Sequence, residues 1–265
     1  MPRKPDYGLD SPALVASFLL CGLLLLAFSF ASSLLGGSFA RGLYFFAGLF
    51  LLSLASLLLH YSFVGRFRIR DQLLASIPWR GDEFVLDVNS GLGLLLIGAA
   101  RRLTTGRVVG LDRWSFGDPA RNRPAAILAN AELEGVSRRI EVRGGNPLLL
   151  PFKNAQFDVV ISNLILREPR SSSDRDLLVR EMLRVLKPGG RLVLAGLFFS
   201  ARCLEILHRS GISHLARAPV RGSAFPLAAL LTLGAARPHY ITVTKPRALA
   251  APQPISRPKA SAASA

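Results

Sequence analysis

Cysteine is nearly missing from this chain, with Cys21 and Cys203 the only two among 265 residues. That excludes a disulfide framework and a cysteine-ligated zinc site, and no metal site is expected. Acids are scarce as well. Seventeen Asp+Glu stand against 33 Lys+Arg, which leaves a net charge of +16. The arginines are scattered and no basic stripe interleaved with aromatics is present, so no nucleic-acid partner is expected. Beside an anionic lipid leaflet, each well-placed cation contributes roughly 1 kcal/mol of attachment. Charge is absent altogether from Ser11–Ala40, and Gly42–Gly65 has none except the usually neutral His60. There is no internal repeat.

Each uncharged stretch supplies the ~20 apolar residues needed to cross a bilayer. Gly36, Gly37 and Arg41 form a short polar interruption between them. The pattern predicts a transmembrane hairpin within residues 1–65, with spans at about 13–35 and 43–64. Arg3 and Lys4 precede the first span, and Arg66, Arg68 and Arg70 follow the second. The positive-inside rule then puts both ends in the cytoplasm, with the remaining chain at the inner face of the cytoplasmic membrane. A cleaved signal peptide is the rival reading, but a second apolar run follows the first directly. Phe18, Leu19 and Leu20 ahead of Cys21 lack the small residues of a lipoprotein anchor site.

Residues 66–82 read as a basic linker with a short helix at Asp71–Ile77, stopped by Pro78. From Phe84 onward, strand and helix patterns alternate. Strands are predicted at Phe84–Val88, Arg107–Leu111, Arg139–Arg143, Phe157–Ser162 and Arg191–Ala195. Helices are predicted at Leu92–Leu103, Pro124–Glu134 and Asp174–Leu186, the last stopped by Lys187-Pro-Gly-Gly190. Such alternation implies a parallel sheet with helices on both faces. Further on, Arg202–Ser210 looks helical, while Ile212–Ala216 and Tyr240–Thr244 look strand-like. Residues 247–265 are rich in Ala, Pro and Ser, the composition of a disordered tail. The first strand ends in Asp87 and a turn containing Gly91 and Gly93, and the second in Asp112. Strand, glycine turn, helix and acid-tipped strand make the arrangement of a nucleotide-type ligand site.

Four blocks in order carry a family resemblance. They are Val85-Leu-Asp-Val-Asn-Ser-Gly-Leu-Gly93, Val109-Gly-Leu-Asp112, Leu150-Pro-Phe152 with Phe157-Asp-Val-Val-Ile-Ser-Asn163, and Arg180-Glu-Met-Leu-Arg-Val-Leu-Lys-Pro-Gly-Gly-Arg-Leu192. Residues 83–246 resemble the class I S-adenosylmethionine-dependent methyltransferases, in the branch that includes quinone-biosynthesis enzymes. The resemblance implies an α/β, Rossmann-like fold with a seven-stranded, mostly parallel sheet and S-adenosylmethionine as cofactor. It places Asp87 near the donor's amino acid portion, Gly91 and Gly93 in the loop that approaches it, and Asp112 on the ribose hydroxyls. Asn146 stands where the family usually has an Asp contacting the adenine amino group, and an amide oxygen accepts the same hydrogen bond. Asn89 and Ser162 complete the expected cofactor contacts.

Methyl transfer from a sulfonium relies on positioning, so the lack of an obvious acid–base pair does not exclude an enzyme, and no catalytic residue is assigned. With the hairpin, the resemblance predicts a membrane-anchored methyltransferase acting on a lipophilic or membrane-associated small molecule. Asn89 replaces a turn glycine, Asn146 an acid, and Arg167-Glu168 the His common after the fourth strand. These departures keep a second reading open, a catalytically impaired relative serving as a membrane-bound binding module. A nicotinamide dehydrogenase fits worse, because Leu96 stands where its third glycine belongs. Trp114 is placed to wall an adenine pocket or to anchor a loop. His208, His214 and His239 lie on unrelated elements. A reporter fused after Lys245 is expected to signal from the cytoplasm, and a periplasmic signal refutes the hairpin.

Overall fold

The computed structural model describes residues 4–34, 38–113, 124–163, 171–196, 201–212, 215–221 and 239–247. Two helices open the chain, α1 (Pro12–Leu34) and α2 (Ser38–His60). Their 23 residues give each a length of about 35 Å. Both are long and apolar enough to cross a membrane. They approach closely where neither has a side chain: a Cβ on Gly48 would lie 2.9 Å from the Gly22 carbonyl oxygen. Leu20, Leu23, Phe28, Phe30 and Phe46 point outward and are exposed. A contiguous apolar surface of this kind marks contact with lipid or a partner. Arg41, expected in the turn, lies inside α2, because Ser38–Arg41 contains neither glycine nor proline to break the helix.

The second helix does not end where the apolar run ends. It passes through a π-helical turn at Tyr61–Gly65 into α3 (Arg66–Ala75). The segment expected as a basic linker with a short helix at Asp71–Ile77 is helical from Arg66 to Ala75 and packed against the domain. Ile69, Leu73 and Leu74 form a buried stripe along it, continued by Ile77 just past its end. Arg66 is buried too, so of the three arginines after the second span it faces protein rather than lipid.

Seven strands follow among the described residues: β1 (Phe84–Val88), β2 (Arg107–Asp112), β3 (Ile140–Gly144), β4 (Phe157–Asn163), β5 (Leu186–Gly196), β6 (Leu215–Pro219) and β7 (His239–Thr244). Their order is β3-β2-β1-β4-β5-β7-β6, parallel except for β7, which is antiparallel to both neighbours. Among the described residues the α-helices between them are α4 (Leu94–Ala100), α5 (Pro124–Leu133), α6 (Ser172–Val185) and α7 (Ala201–Arg209). Alternate strand residues feed two cores. Val85, Val108, Val159, Ile161 and Val193 pack with Ile69 and Leu73 of α3, Leu96 of α4 and Ile127 of α5. Leu86, Val109, Val160, Leu192 and Leu194 pack with Leu178 and Met182 of α6 and Ile206 of α7. Strands covered on both sides read as near-continuous apolar runs, which is why they were legible.

Two elements differ from expectation. Lys187-Pro-Gly-Gly190 was expected as a turn but belongs to β5, which pairs with β4 from Leu186 onward across a register shift. Lys187 donates to both oxygens of Asp158 at 2.9 Å. Burial alone raises the Asp158 carboxyl pKa, but Lys187 and the Phe84 N–H together hold it below its ordinary value. The strand expected from Ile212 starts at Leu215, because the Ile212 N–H closes the end of α7 on Leu207 and its side chain is buried there.

The course of α3 sets the geometry of the molecule. Gln72 exchanges hydrogen bonds with the backbone of Arg221, just past the end of β6, donating at 2.7 Å and accepting at 2.9 Å. Further along, the Ser76 hydroxyl accepts from Thr242 in mid-β7 at 3.3 Å. Beyond it, the Gly81 carbonyl accepts from three amides at Thr104–Gly106, at the foot of β2. Strand β6 runs the same way as the parallel strands, since both it and β5 oppose β7. Helix α3 thus descends from the carboxyl edge of the sheet to its amino edge, and the hairpin leaves at the carboxyl edge. Its crossing with α4 is tight at Gly98, where a Cβ would sit 2.8 Å from Arg70 Cδ and Leu74 Cδ1. Gly98→Val is expected to destabilise the chain by about 1–3 kcal/mol, measured by denaturation of the full protein in detergent.

Candidate functional site

The loop after β1 is shaped by three residues in the left-handed region: Asn89 (φ +62°), Gly91 (φ +57°) and Gly93 (φ +82°). Asn tolerates this conformation better than other non-glycine residues, so Asn89 keeps the turn that a glycine usually makes. Gly93 has a second constraint, since a Cβ there would lie 2.9 Å from Ile127 Cγ2. The end of β2 organises the loop. The Leu111 carbonyl accepts from the Asn89 N–H at 2.8 Å and the Ser90 N–H at 3.2 Å. The Asp112 carboxylate accepts from the Gly91 N–H at 2.7 Å. The Ser90 carbonyl accepts from the Gly93 N–H at 2.8 Å.

These bonds revise the expected roles. Both glycine N–H groups, expected to reach a ligand, are used to hold the loop. The glycines instead supply positive φ and the absence of side chains. Asp112 is an architect of the loop as well as a candidate ribose acceptor, with one carboxylate oxygen already on Gly91. It is 6% exposed, and Asp87 at the tip of β1 is 1% exposed. The sheet brings both acids and residues 89–93 to one carboxyl edge, next to each other across the β1–β2 pairing.

Two other expected contact residues have partners within the protein. Ser162 is fully buried, and its hydroxyl donates to the Val88 carbonyl at 2.6 Å, so it ties β4 to β1. Asn146 is exposed beyond β3, and its side-chain oxygen accepts from the Leu148 N–H at 3.0 Å and from the Arg113 guanidinium. The oxygen expected to meet an adenine amino group is therefore already engaged. An amide just past a strand and ahead of a turn caps its own backbone readily, which is the competing use. The Leu150–Phe152 block has a structural role. Arg184 donates to the Leu150 carbonyl at 2.9 Å and the Phe152 carbonyl at 2.8 Å, and also pairs with Glu181. That Arg184 hydrogen bond, joined by the Leu150 N–H, lowers the Glu181 carboxyl pKa against the effect of burial. Trp114, Arg167, Glu168 and His214 lie outside the described residues.

Sequence reasoning missed Ser90. Its hydroxyl is buried inside the loop with no hydrogen-bond partner among the described residues. A buried hydroxyl left in this state costs about 1–3 kcal/mol, so a bound polar ligand is the natural partner. Buried acids on adjacent strand tips, a loop bare of side chains at two positions and this hydroxyl fit a nucleoside carrying a polar tail. The signal was visible only as a small polar residue between Asn89 and Gly91.

The chain matches a methyltransferase domain family over residues 85–190. A demethylmenaquinone methyltransferase of Lactiplantibacillus plantarum is 35% identical over 127 residues, 47% of this chain and 49% of the relative. The chain thus spans about half the length of the curated relatives it matches. Among solved structures, a geranyl diphosphate methyltransferase in complex with SAM aligns over 68% of this chain and 85% of its own, with TM-score 0.54 and 16% identity. The [4+2]-cyclase SpnF aligns over 69% of this chain and 82% of its own, with TM-score 0.52 and 21% identity. At these identities the structural likeness establishes the fold. Replacing Asn89 by Val, which resists positive φ, is expected to cost about 1–2 kcal/mol in a denaturation experiment, whereas Asn89→Gly is expected to be tolerated.

Proposed function

We propose that this chain, whose α/β domain belongs to the class I S-adenosylmethionine-dependent methyltransferases, is a methyltransferase held at a membrane by its N-terminal hairpin. Its substrate is a lipophilic small molecule reached from the bilayer, and its donor is S-adenosylmethionine. The observation that carries this reading is the course of α3. The apolar hairpin leaves the domain at the carboxyl edge of the sheet, the same edge that holds Asp87, Asp112 and the loop at 89–93. In open parallel sheets that edge is where ligands bind. A site that opens beside the membrane-proximal end of α3 is within reach of a molecule dissolved in lipid. The relative's name, demethylmenaquinone methyltransferase, supports a quinone-like acceptor.

When bound, the donor supplies an electrophilic methyl group on a sulfonium, and the chemistry is a displacement by the acceptor. The protein's part is to hold the two reactants in line and keep water out. Asp112 holds the loop through Gly91 and offers carboxylate to ribose hydroxyls. Asp87 lies buried where it orients the donor's amino acid portion. Ser90 supplies a hydroxyl inside the loop. We place the domain on the cytoplasmic side, following the charge at the ends of the hairpin.

The second reading, a membrane-bound binding module without transfer activity, draws on Asn146. Its engagement by Arg113 leaves the expected adenine contact unmade. SpnF, by its name a cyclase, illustrates that this fold serves more than one chemistry.

Calorimetric titration of the detergent-solubilised full chain with S-adenosylmethionine and S-adenosylhomocysteine tests the site. Asp112→Ala is expected to weaken binding by about tenfold or more, since it removes a buried acceptor and frees Gly91. Asn146→Ala is expected to change affinity by less than about threefold, its oxygen being already satisfied. Absence of binding by the wild type sinks the enzyme reading. With a methyl-labelled donor and a lipid extract, label is expected in the organic phase; binding without any transfer favours the module.

A further inference from the structure

The residues ahead of α1 do not behave as a free terminus. They cross the molecule between the membrane helix and the candidate donor loop, and Asp6, Tyr7, Gly8 and Asp10 are all hydrogen-bonded there. Asn130, buried in α5, accepts from the Asp6 N–H at 2.8 Å and donates back to the Asp6 carbonyl at 2.8 Å. The same amide nitrogen lies 3.4 Å from the Leu92 carbonyl, inside the donor loop, as a weak donor to it. Gly8 (φ +68°) sits against the side chain of that same Leu92, where a Cβ would be 2.9 Å from Leu92 Cδ1. Tyr7 is buried with its ring edge-on to Phe67 of α3 at 5.8 Å, and its hydroxyl donates to Glu134 at 3.4 Å.

The other end is fastened to the helix that comes out of the hairpin. Arg66 is buried and donates to the Tyr7 carbonyl at 2.9 Å, the Gly8 carbonyl at 2.5 Å and the Asp10 carboxylate at 3.3 Å. The Asp10 N–H donates to Ser62 at 3.1 Å, within the π-helical turn. A terminal segment with this many long-range hydrogen bonds is held in place rather than solvated, unlike most chain ends. Burying the Arg66 guanidinium is expensive unless it is hydrogen-bonded, and two backbone carbonyls and a carboxylate of the segment accept from both of its terminal nitrogens, while Nε has no partner among the described residues.

We propose that residues 6–10 form a strap that positions the donor loop, with Asn130 as the positioning residue at the loop end and Arg66 as its fastening to the membrane helix. This rests on the reading of residues 89–93 as the donor loop. Asn130 touches no reacting atom. It joins Leu92 to Asp6, so the loop, the strap and the helix leaving the hairpin move as one body. Donor affinity is thereby linked to the seating of the hairpin, and a hairpin pulled away from the domain loosens the loop through Arg66 and Asp10.

The test is hydrogen exchange of the full chain in detergent, without added ligand, followed by S-adenosylhomocysteine titration of the same samples. In Asn130→Ala and in Arg66→Met, amides of residues 89–93 are expected to exchange roughly five- to tenfold faster, the effect of losing about one net hydrogen bond. Those of Val193–Ala195, in the middle of the sheet, should keep their wild-type rates. Arg66→Lys, which keeps the charge but cannot fork between two carbonyls, gives a smaller acceleration and serves if the harsher variants do not fold. Affinity for S-adenosylhomocysteine should fall by a similar factor in each variant. Unchanged loop exchange, or acceleration of loop and mid-sheet amides alike, overturns the strap. If the wild type binds no S-adenosylhomocysteine, the donor-site reading fails, while the exchange rates still decide whether the strap holds the loop.

Discussion

The packing of α3 against the sheet is the constraint on which the rest of this molecule depends. One helical run from Ser38, through the π-helical turn, to Ala75 joins the apolar hairpin to the α/β domain without a flexible joint. Ile69 and Leu73 are fully buried in the core formed with Val85, Leu96 and Val108. Removing either side chain from water is worth about 1.5–3 kcal/mol, so the helix cannot swing free without losing a good part of the domain's stability. Gly98 permits the close approach, and Gln72 and Ser76 fix how the helix is aligned along the sheet. The direction of a ten-residue helix thereby decides which edge of the domain meets the hairpin.

That decision gives the loop at 89–93 its neighbours. An α/β domain held by a loose tether would turn its carboxyl edge in any direction. Here the same edge carries Asp87, Asp112, the loop at 89–93 and the root of the hairpin. The segment ahead of α1 fills the angle between them, with Tyr7 packed on Phe67 and Gly8 against Leu92. Burial and the Glu134 carboxylate hold the Tyr7 phenol proton well above its ordinary pKa, so the tyrosine stays neutral as a packing residue.

The loop itself shows how a departure from a family pattern is accommodated. Asn89 takes positive φ and donates its N–H to Leu111, so the backbone keeps its path. What changes is elsewhere. The N–H groups of Gly91 and Gly93 are turned inward, to Asp112 and Ser90. The side chains buried beside the loop are the two acids and Ser90. At the far side Arg113 draws Asn146 into a turn of the protein's own. An Asp there would pair with the same guanidinium, so it is Arg113 as much as Asn146 that sets this corner apart.

Local pattern by itself determined the apolar hairpin, the alternation of strands and helices, the two acid-tipped strands and the glycine turn between them. Those features are local in sequence: uninterrupted apolar runs, two-sided burial of short strands, and residues chosen for backbone conformation. Other features needed the tertiary structure. These are the conversion of the basic linker into a buried helix, the use of Ser162 to tie strands together, the engagement of Asn146 by Arg113, and the docking of residues 6–10 on α5 and α3. Each depends on partners far apart in the chain, such as Asp6 with Asn130 or Gln72 with Arg221, whose side chains carry no periodic signal. A hydrogen-bonding group can be read from sequence, but which of several partners satisfies it is decided by packing.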